Sequence, residues 1–304
     1  MFNPLRSKKL KANVGLNISS SGISVAEMAG KNEKYHLLHF GFEPLKDTKA
    51  KADLGDAIKK AMDNAGITSK EVNTSVAGQE VIVRYIEFPQ MAKDELNSAI
   101  KFEAEKYIPF NIDDVVLDCQ ILDKGSQGKM KVLLVAAKKD LIDKHISLIE
   151  QAGLRATLID VDSFAIINAF QANNPRQVTG TIALLNLGKE LSSINILKGN
   201  TSCFTRDILI GGDNLNVENL LSEIHLSFDY YESQFEKGID RVFLNGESSG
   251  LAGLRDSLKE SLKLEIRPWN AVEGLEIDPG LDKEKLSAVS DKLTVAVGLA
   301  LRKA

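Results

Sequence analysis

Apolar and polar residues near the start of the sequence alternate in a pattern that predicts two strands joined by a tight turn. Residues 12–18 alternate apolar side chains with polar or small ones, residues 19–22 are Ser-Ser-Ser-Gly, and residues 23–28 resume the apolar pattern. A similar arrangement recurs at 181–197, where a turn at 188–190 separates two apolar runs. Because the two units lie a whole domain apart, they predict an internal repeat of one architecture.

Helical periodicity accounts for much of the remaining chain. Apolar residues three and four positions apart predict a series of helices, and Gly66 and Gly153 end two of them. The predicted helices are 52–65, 93–107, 139–152, 163–171, 217–237, 251–262 and 291–302. Residues 270–290 are polar and predict a loop. Between 72 and 160 the predicted order is β-α-β-β-α-β, which is typical of a compact α+β unit.

Composition and charge exclude several classes of function. The chain has 304 residues, 43% hydrophobic and 26% charged, which suits about two globular domains. Its net charge of −4 argues against a nucleic-acid partner. Cys119 and Cys203 have no partner at ligand spacing, so no metal site is predicted. No apolar run reaches the length of a membrane helix, and the basic segment 1–11 has no signal-peptide pattern, which predicts a cytoplasmic protein with a flexible basic tail.

Three turns carry residue types that bind phosphate. Ser19 and Ser20 lie in the first turn, Gly188 in the second, and Gly246 and Glu247 in a third that follows a strand and precedes a helix. Backbone N–H groups in such small-residue turns cradle phosphate oxygens. Taken singly, each turn is more often an ordinary hairpin connection. Together, one set in each half of the chain, they suggest a nucleotide clamp.

Other polar groups predict structure rather than chemistry. Asp160 and Asp162 lie at a strand–helix junction, where an N-cap role for Asp162 is favoured over an acid pair. His36 and His39 flank one strand and are interpreted as surface residues. The serines at 19–21 have no His or Asp at triad-like positions, so they predict no nucleophile.

The sequence resembles the PilM family, within the class of actin, FtsA and sugar kinases. The resemblance covers nearly the whole chain and rests on segments such as VGLNISSSGISVAEM, ELNSAIKFEAEKYIPF, FTRDILIGGDNL, EIHLSFDYYESQ and AVGLALR. It implies an α/β, actin-like (ribonuclease H-like) fold of two lobes, with an inserted α+β subdomain and a reduced second lobe. The implied divisions are a first lobe at 12–71 and 160–175, the inserted subdomain at 72–159, a shortened second lobe at 176–290 and a C-terminal helix at 291–304 that packs back on the first lobe.

Departures from the family pattern concern nucleotide hydrolysis. Where actin-like ATPases carry Asp in the first and second phosphate turns, this sequence has Asn17 and Asn186, and an amide neither offsets the charge of Mg²⁺ nor acts as a general base. Glu247 would place a carboxylate near phosphate. The segment that follows Gly212 in the family, one wall of the clamp, is missing. These departures imply that the protein is not an enzyme and has no catalytic residue, metal or cofactor. The alternative is that the cleft binds ATP and Mg²⁺.

The resemblance also implies a partner. In PilM the cytoplasmic tail of the inner-membrane protein PilN docks near the inserted subdomain, and the corresponding surface here is the helix exit at Tyr107, Ile108, Pro109 and Phe110. The implied function is a cytoplasmic scaffold, peripheral to the inner membrane, of a type IV pilus or related secretion machine, with pilus motor ATPases as further partners. A nucleotide-binding switch or ATPase, a filament-forming protein similar to FtsA, and the cytoplasmic part of a secretion platform protein stay open as alternatives.

Overall fold

The computed structural model describes residues 12–31, 34–45, 51–123, 128–174 and 179–302, and the predicted flexible tail at 1–11 lies outside them. The described strands are β1 (Ala12–Ile18), β2 (Gly22–Lys31), β3 (Lys34–Pro44), β4 (Glu71–Val76), β5 (Val81–Pro89), β6 (Val115–Asp123), β7 (Lys129–Lys138), β8 (Arg155–Val161), β9 (Thr181–Leu187), β10 (Ser192–Lys198), β11 (Thr201–Ile208), β12 (Arg241–Asn245), β13 (Glu265–Pro268) and β14 (Glu276–Ile277). The described helices are α1 (Lys51–Asn64), α2 (Lys93–Ala104), α3 (Lys139–Gln151), α4 (Asp162–Asn173), α5 (Val217–Phe235), α6 (Leu254–Leu262), α7 (Lys283–Val289) and α8 (Thr294–Ala300).

The first lobe is built on a six-stranded sheet in the order β14-β3-β2-β1-β4-β8. β1, β2 and β3 form an antiparallel meander, and β4 and β8 then add in parallel. On one face, Leu16 and Val25 of the hairpin share a core with Ile58 of α1 and Ile149 of α3. The other face is covered by α4 and α8, which lie between the lobes.

The inserted subdomain is smaller than predicted. It consists of a three-stranded antiparallel sheet, β5-β7-β6, and α2, whose Leu96, Ile100 and Ala104 are buried against the sheet at four-residue spacing. β4 and β8 pair in the first-lobe sheet, and α3 packs there as well. The division at 72–159 is therefore corrected to residues 81–138. Apolar alternation marks a strand but does not say which sheet it joins.

The second lobe repeats the topology of the first. Its five-stranded sheet has the order β11-β10-β9-β12-β13, with an antiparallel meander followed by two parallel strands. β9, β10 and β12 thus occupy the places that β1, β2 and β4 hold in the first lobe, which confirms the predicted internal repeat. α5 and α6 bury Phe228, Tyr231 and Leu258 in a core against this sheet.

α4 and α8 join the lobes through one continuous core, which includes residues of β2 and β3 on one side and of β9 and β10 on the other. Phe170 is fully buried there, with edge-to-face contacts to Phe243 at 4.7 Å and Trp269 at 5.1 Å between ring centroids. The two helices cross closely at Gly298, where a Cβ atom would overlap the carbonyl oxygen of Ala165.

The stretch 270–290, predicted as a loop of the second lobe, contains β14 and α7. β14 pairs with β3, so this part of the chain belongs to the first-lobe sheet. A strand of two residues is too short to show alternation. Asp282 caps α7 by accepting hydrogen bonds from the N–H groups of Glu284 and Lys285.

The end of the described chain returns to its beginning. The carbonyl oxygen of Arg302 accepts hydrogen bonds from the Nδ2 atoms of Asn13 on β1 and Asn73 on β4, both at 3.2 Å. Arg302 also forms an ion pair with buried Asp160, with 2.8 Å between Nε and Oδ2. α8 and the residue pair that follows it are therefore part of the first lobe.

Candidate functional site

One cleft between the lobes brings the predicted phosphate turns together. It has a volume of about 320 Å³ and opens at the ends of β1, β9 and β12. Its lining includes every position predicted for a degenerate nucleotide site: Asn17, Ser19, Ser20, Asn186, Gly188, Gly246 and Glu247. β12 lies parallel to β9, so the second and third turns leave the same edge of the second-lobe sheet.

Hydrogen bonds within the first turn occupy its polar groups. The Ser19 N–H and hydroxyl both donate to the Gly22 carbonyl oxygen at 3.0 Å, and the Gly22 N–H donates to Ser19 Oγ at 3.3 Å. Ser19 Oγ also lies 3.0 Å from Ser21 Oγ. Asn17, at the end of β1, is 5% exposed. Ser19 is therefore engaged within the turn, whereas Ser20 is exposed.

Two side-chain hydrogen bonds join the second turn to the third. Ser248 Oγ donates to the carbonyl oxygen of Gly188 at 2.8 Å, and Asn186 Nδ2 donates to Asn245 Oδ1 at 2.8 Å. Gly246 has a φ of +102°, and a Cβ atom there would overlap the backbone of Leu187. Only glycine adopts this positive φ readily and also leaves room for the Leu187 backbone. The predicted glycine of the third turn is therefore needed for the packing of the turns as well as for any ligand.

Glu247 contributes the negative charge that the sequence predicted for this turn. Burial raises the pKa of its carboxyl, and a hydrogen bond from Ser21 and the charge of Lys292 oppose that shift. Lys292 and Lys189 also line the cleft. The rim of the cleft therefore carries both signs of charge.

Sequence reasoning missed a pair of carboxylates at the floor of the cleft. Asp162 begins α4 but does not cap it, because the N-cap residue is Val161; the predicted N-cap role is wrong. Instead, Ser75 Oγ donates to Asp162 Oδ1 at 2.6 Å. Burial raises the pKa of Asp162 to about 6, and the nearby charge of Asp207 adds to this.

Asp207, the second member of the pair, lies on β11. Its Oδ2 accepts a hydrogen bond from the Gly78 N–H at 2.8 Å. Burial raises the pKa of this carboxyl, and the Gly78 N–H opposes the shift. The residue lies within the segment FTRDILIGGDNL, which was noted for family resemblance, but nothing in its spacing signalled a place in the cleft.

A second cavity, of about 530 Å³, lies between the inserted subdomain and the second lobe, and we call it the slot. Residues 81–84 of β5 line one side and residues 205–210 line the other. The side chains of consecutive residues in a strand point to opposite faces of the sheet, so a cavity on one face would be lined by every second residue. Consecutive residues line both sides of this cavity, which therefore runs along the edges of the strands. β5 and β11 are the outermost strands of their sheets. The slot therefore separates two open sheet edges.

Three contacts, which we call the latch, connect the two sides of the slot. The first is the Gly78–Asp207 hydrogen bond. The second joins the Tyr85 hydroxyl and Ser202 Oγ at 2.6 Å. Burial raises the pKa of Tyr85 above its usual range, so the phenol keeps its proton. In the third, Lys131 Nζ lies 5.0 Å from the ring centroid of Phe235 on α5.

The four residues of the predicted partner surface, 107–110, differ in their exposure to solvent. Ile108 is buried in the core of the inserted subdomain, and Phe110 packs partly against that core with Lys138 Nζ 4.7 Å from its ring centroid. Tyr107 and Pro109 are exposed. Phe102 on α2 is 76% exposed. The sequence did not predict it as part of a partner surface, because it does not disturb the periodic pattern of apolar residues along the helix. Only part of the predicted surface is available to a partner.

Within the described ranges, no group of three or more His, Cys, Asp and Glu side chains is placed to hold a metal ion. Over the same residues, no helix is both long and apolar enough to cross a membrane.

Comparison with known proteins decides the family. Residues 15–219 and 216–304 match the family described as type IV pilus assembly protein PilM. The chain belongs to the PilM family. This PilM-family chain is also similar to a chain of a PilM-PilN type IV pilus biogenesis complex, with 26% identity and a TM-score of 0.86 over 95% of this chain and 98% of that one. Because 98% of that chain has a counterpart here, the predicted shortening of the second lobe does not distinguish this chain from it.

More distant structures show the fold class. A protein from Bacteroides thetaiotaomicron with an actin-like ATPase fold is 14% identical, with a TM-score of 0.54 over 98% of both chains. The cytoplasmic domain of EpsL, an inner-membrane component of the type II secretion system of Vibrio cholerae, is 13% identical, with a TM-score of 0.52 over 97% of this chain and 96% of that one. The predicted actin-like α/β fold is confirmed.

Proposed function

We propose that this PilM-family chain is a scaffold of type IV pilus assembly that binds the cytoplasmic tail of a PilN-like protein and does not hydrolyse ATP. It would act in the cytoplasm, at the inner membrane, through that partner. Family membership supports the pilus role, and similarity to a chain of a PilM-PilN complex supports a PilN-like partner. Pilus motor ATPases as further partners stay a prediction.

The observation that carries the proposal is the slot. Its two sides are open strand edges, whose N–H and C=O groups match an extended chain and no other backbone conformation. Its lining is divided between apolar and polar residues, and Val81, Val83, Ile208 and Ile210 are among the apolar ones on the two sides. Arg84 is exposed and has no carboxylate partner among the described residues. An extended apolar tail with an acidic residue near one end has the complementary chemistry.

The chemistry of the cleft supports the absence of hydrolysis. The residues in the first and second turns, Asn17 and Asn186, do not fit Mg²⁺, because a neutral amide offers one weak oxygen ligand and no base. Five carboxylates line the cleft: Asp162, Glu190, Asp207, Glu247 and Asp291. Asp162 and Asp207 each accept a hydrogen bond from the protein itself. No catalytic step is therefore assigned to this cleft.

Binding to the slot can be tested with a fluorescently labelled peptide of the PilN-like partner's cytoplasmic tail, by anisotropy against the purified chain. Val81→Lys places a charged side chain at the slot edge of β5, which blocks strand addition. We expect it to weaken binding by about tenfold or more, equivalent to about 1.4 kcal/mol. Val116→Lys is the matched control, because β6 is the other edge of the same sheet and Val116 is 47% exposed.

The same titration separates the slot from the predicted helix exit. If Tyr107→Ala abolishes binding while Val81→Lys leaves it unchanged, the tail docks at residues 107–110 instead. If the wild-type chain does not bind the tail at all, the scaffold proposal fails.

A nucleotide-binding switch is the second candidate, because Lys189 and Lys292 line the cleft beside small-residue turns. Titration with Mg-ATP distinguishes it: a Kd tighter than about 10 μM, or about −7 kcal/mol, would make the switch the better description. Release of phosphate during the same incubation would contradict the absence of hydrolysis. Filament formation, the third alternative, would show as concentration-dependent sedimentation.

A further inference from the structure

Asp207 is the residue at which the cleft and the slot meet. Its side chain lines both cavities. Its Oδ2 atom accepts the N–H of Gly78, which lies where β4 of the first lobe leads into β5 of the inserted subdomain. A single carboxylate on the second lobe thus contacts the cleft, the slot and the connection between the first lobe and the subdomain.

The hydrogen bond to Asp207 is the contact that positions Gly78. Gly78 has a φ of +94°, and a Cβ atom placed on it would meet no atom within 4 Å. Within the turn the Gly78 carbonyl oxygen accepts the Val81 N–H at 3.0 Å, whereas the bond to Asp207 joins Gly78 to the second lobe. A glycine backbone with positive φ can rearrange when that bond is lost. The strength of the bond sets how firmly the start of β5 is held beside β11.

The charge of Asp207 makes that bond sensitive to what occupies the cleft. A hydrogen bond to an ionised carboxylate is about twice as strong as one to a neutral group. An anion in the cleft adds negative charge near Asp162 and Asp207. Burial already raises the pKa of both carboxyls, and the charge of Asp207 adds to the raised pKa of Asp162. Protonation or displacement of Asp207 weakens its bond to Gly78.

We infer that Asp207 couples the two cavities, so that a phosphate-bearing anion in the cleft loosens the latch and lowers the affinity of the slot for an extended peptide. A peptide that pairs with β5 and β11 holds the subdomain against the second lobe, whereas the anion favours the loosened arrangement. Linkage then makes the effect reciprocal: peptide in the slot lowers the affinity of the cleft for the anion. The identity of the peptide rests on the proposed function, but the loosening of the latch does not.

Hydrogen exchange of the full chain, followed by mass spectrometry, tests the inference with inorganic pyrophosphate and Mg-ATP as probes. Each probe should speed exchange in residues 78–86 by about fivefold or more, the lower end of usual coupling factors. Asp207→Asn keeps an acceptor oxygen for the Gly78 N–H but carries no charge. Because this neutral acceptor should hold Gly78 more weakly, residues 78–86 should already exchange faster than in the wild type, and the probes should no longer change their exchange.

Two further variants make the test specific. Asp207→Ala should expose residues 78–86 without any probe. Glu260→Gln removes an exposed carboxylate of the same lobe that lines neither cavity, and should respond to the probes like the wild type. Equal responses in wild type and Asp207→Asn would overturn the inference. So would the absence of any probe binding at millimolar concentration, measured by calorimetry.

Repeating the tail titration with each probe present separates this inference from the proposed function. A tail that binds without probe and binds about fivefold more weakly with it supports both. A tail that binds equally with and without a bound probe supports the scaffold and overturns the coupling. A probe that loosens residues 78–86 in a chain that binds no tail supports the coupling of Asp207 to the latch and contradicts the scaffold.

Discussion

At position 186 an amide fits where a carboxylate would not. Asn186 Nδ2 donates to Asn245 Oδ1, and the orientation of the Asn245 amide is fixed because its Nδ2 donates to the Trp269 carbonyl at 2.9 Å and Thr294 Oγ1 donates to its Oδ1 at 2.7 Å. A carboxylate at 186 would direct one oxygen at another. The departure from the ATPase pattern is therefore part of how the third turn packs.

Asn186→Asp should destabilise the protein by about 1–3 kcal/mol, the cost of an unpaired buried polar group, and should not produce phosphate release from Mg-ATP. Urea unfolding and a phosphate assay measure the two effects. Asn219→Asp, an exposed change in the first turn of α5, is the control and should be neutral or slightly stabilising. Unchanged stability together with new hydrolysis would contradict this reading of position 186.

The raised pKa of Asp162 makes a pH-dependent contribution to stability. Because its pKa in the folded protein, about 6, exceeds the ordinary value of 3.8, the folded state binds the proton more tightly. Stability from this group is therefore complete below about pH 4 and is lost as the pH rises through 6. Asp162→Asn keeps the acceptor for Ser75 and removes this loss.

We expect Asp162→Asn to match the wild type near pH 4 and to exceed it at pH 7.5, by at most about 3 kcal/mol for a shift of two pKa units. Thermal unfolding of both proteins across this range measures the difference. If Asp162→Asn is less stable than the wild type at pH 7.5, the folded protein stabilises the ionised Asp162 carboxylate, which contradicts the prediction.

The sequence located the cleft better than it located its chemistry. Small-residue turns and the family resemblance together pointed to seven positions that line the cleft, because the topology brings the ends of these strands to one edge of a sheet. Asp162 and Asp207 were missed because their roles depend on which side chains meet them across the cleft. Ile108 was predicted at a partner surface, but helical phase directs it into the subdomain core.

At the scale of elements, the crossing of α4 and α8 depends on glycine. Gly298→Ala would push a methyl group into the Ala165 carbonyl, and backbone on both sides leaves little room to adjust. We expect a loss of about 3 kcal/mol or more, or failure to fold, at the upper end of overpacking costs. Gly55→Ala in α1, where the new atom would lie 3.4 Å from Gln151 Cβ, should instead stabilise by about 0.5–1 kcal/mol.

Thermal and urea unfolding of both variants compare the two glycines. Equal stability of Gly298→Ala and the wild type would mean that the helices can separate at no cost, which contradicts the continuous core between the lobes.

The elements also show where pattern reasoning stops. Helices with strong periodicity, such as α3 and α5, were predicted nearly to their ends. The sheet membership of β4 and β8 was not, because a buried parallel strand has the same apolar pattern in either sheet. β14 and α7 are too short for periodicity to mark them.

At the scale of the whole molecule, two copies of one topology enclose the cleft, and the latch joins the inserted subdomain to the opposite lobe. The family resemblance predicted the two lobes and the insertion. It did not predict the slot, because the slot arises from how β5 and β11, strands of different sheets, come to lie side by side. Movement of the subdomain away from the second lobe would break the contacts of the latch.

The return of Arg302 to Asn13 has a consequence for synthesis of the protein. Strand β1 precedes the other described strands in synthesis and occupies the interior of its sheet, yet the hydrogen bond between Asn13 and Arg302 spans 289 residues of sequence. Ribosomes build the chain in order, so the second lobe, whose sheet is drawn from residues 181–268, is complete in the nascent chain before α8 exists. The first lobe therefore closes after the second, and its apolar face between β2 and α4 stays open to chaperones until α8 has been made.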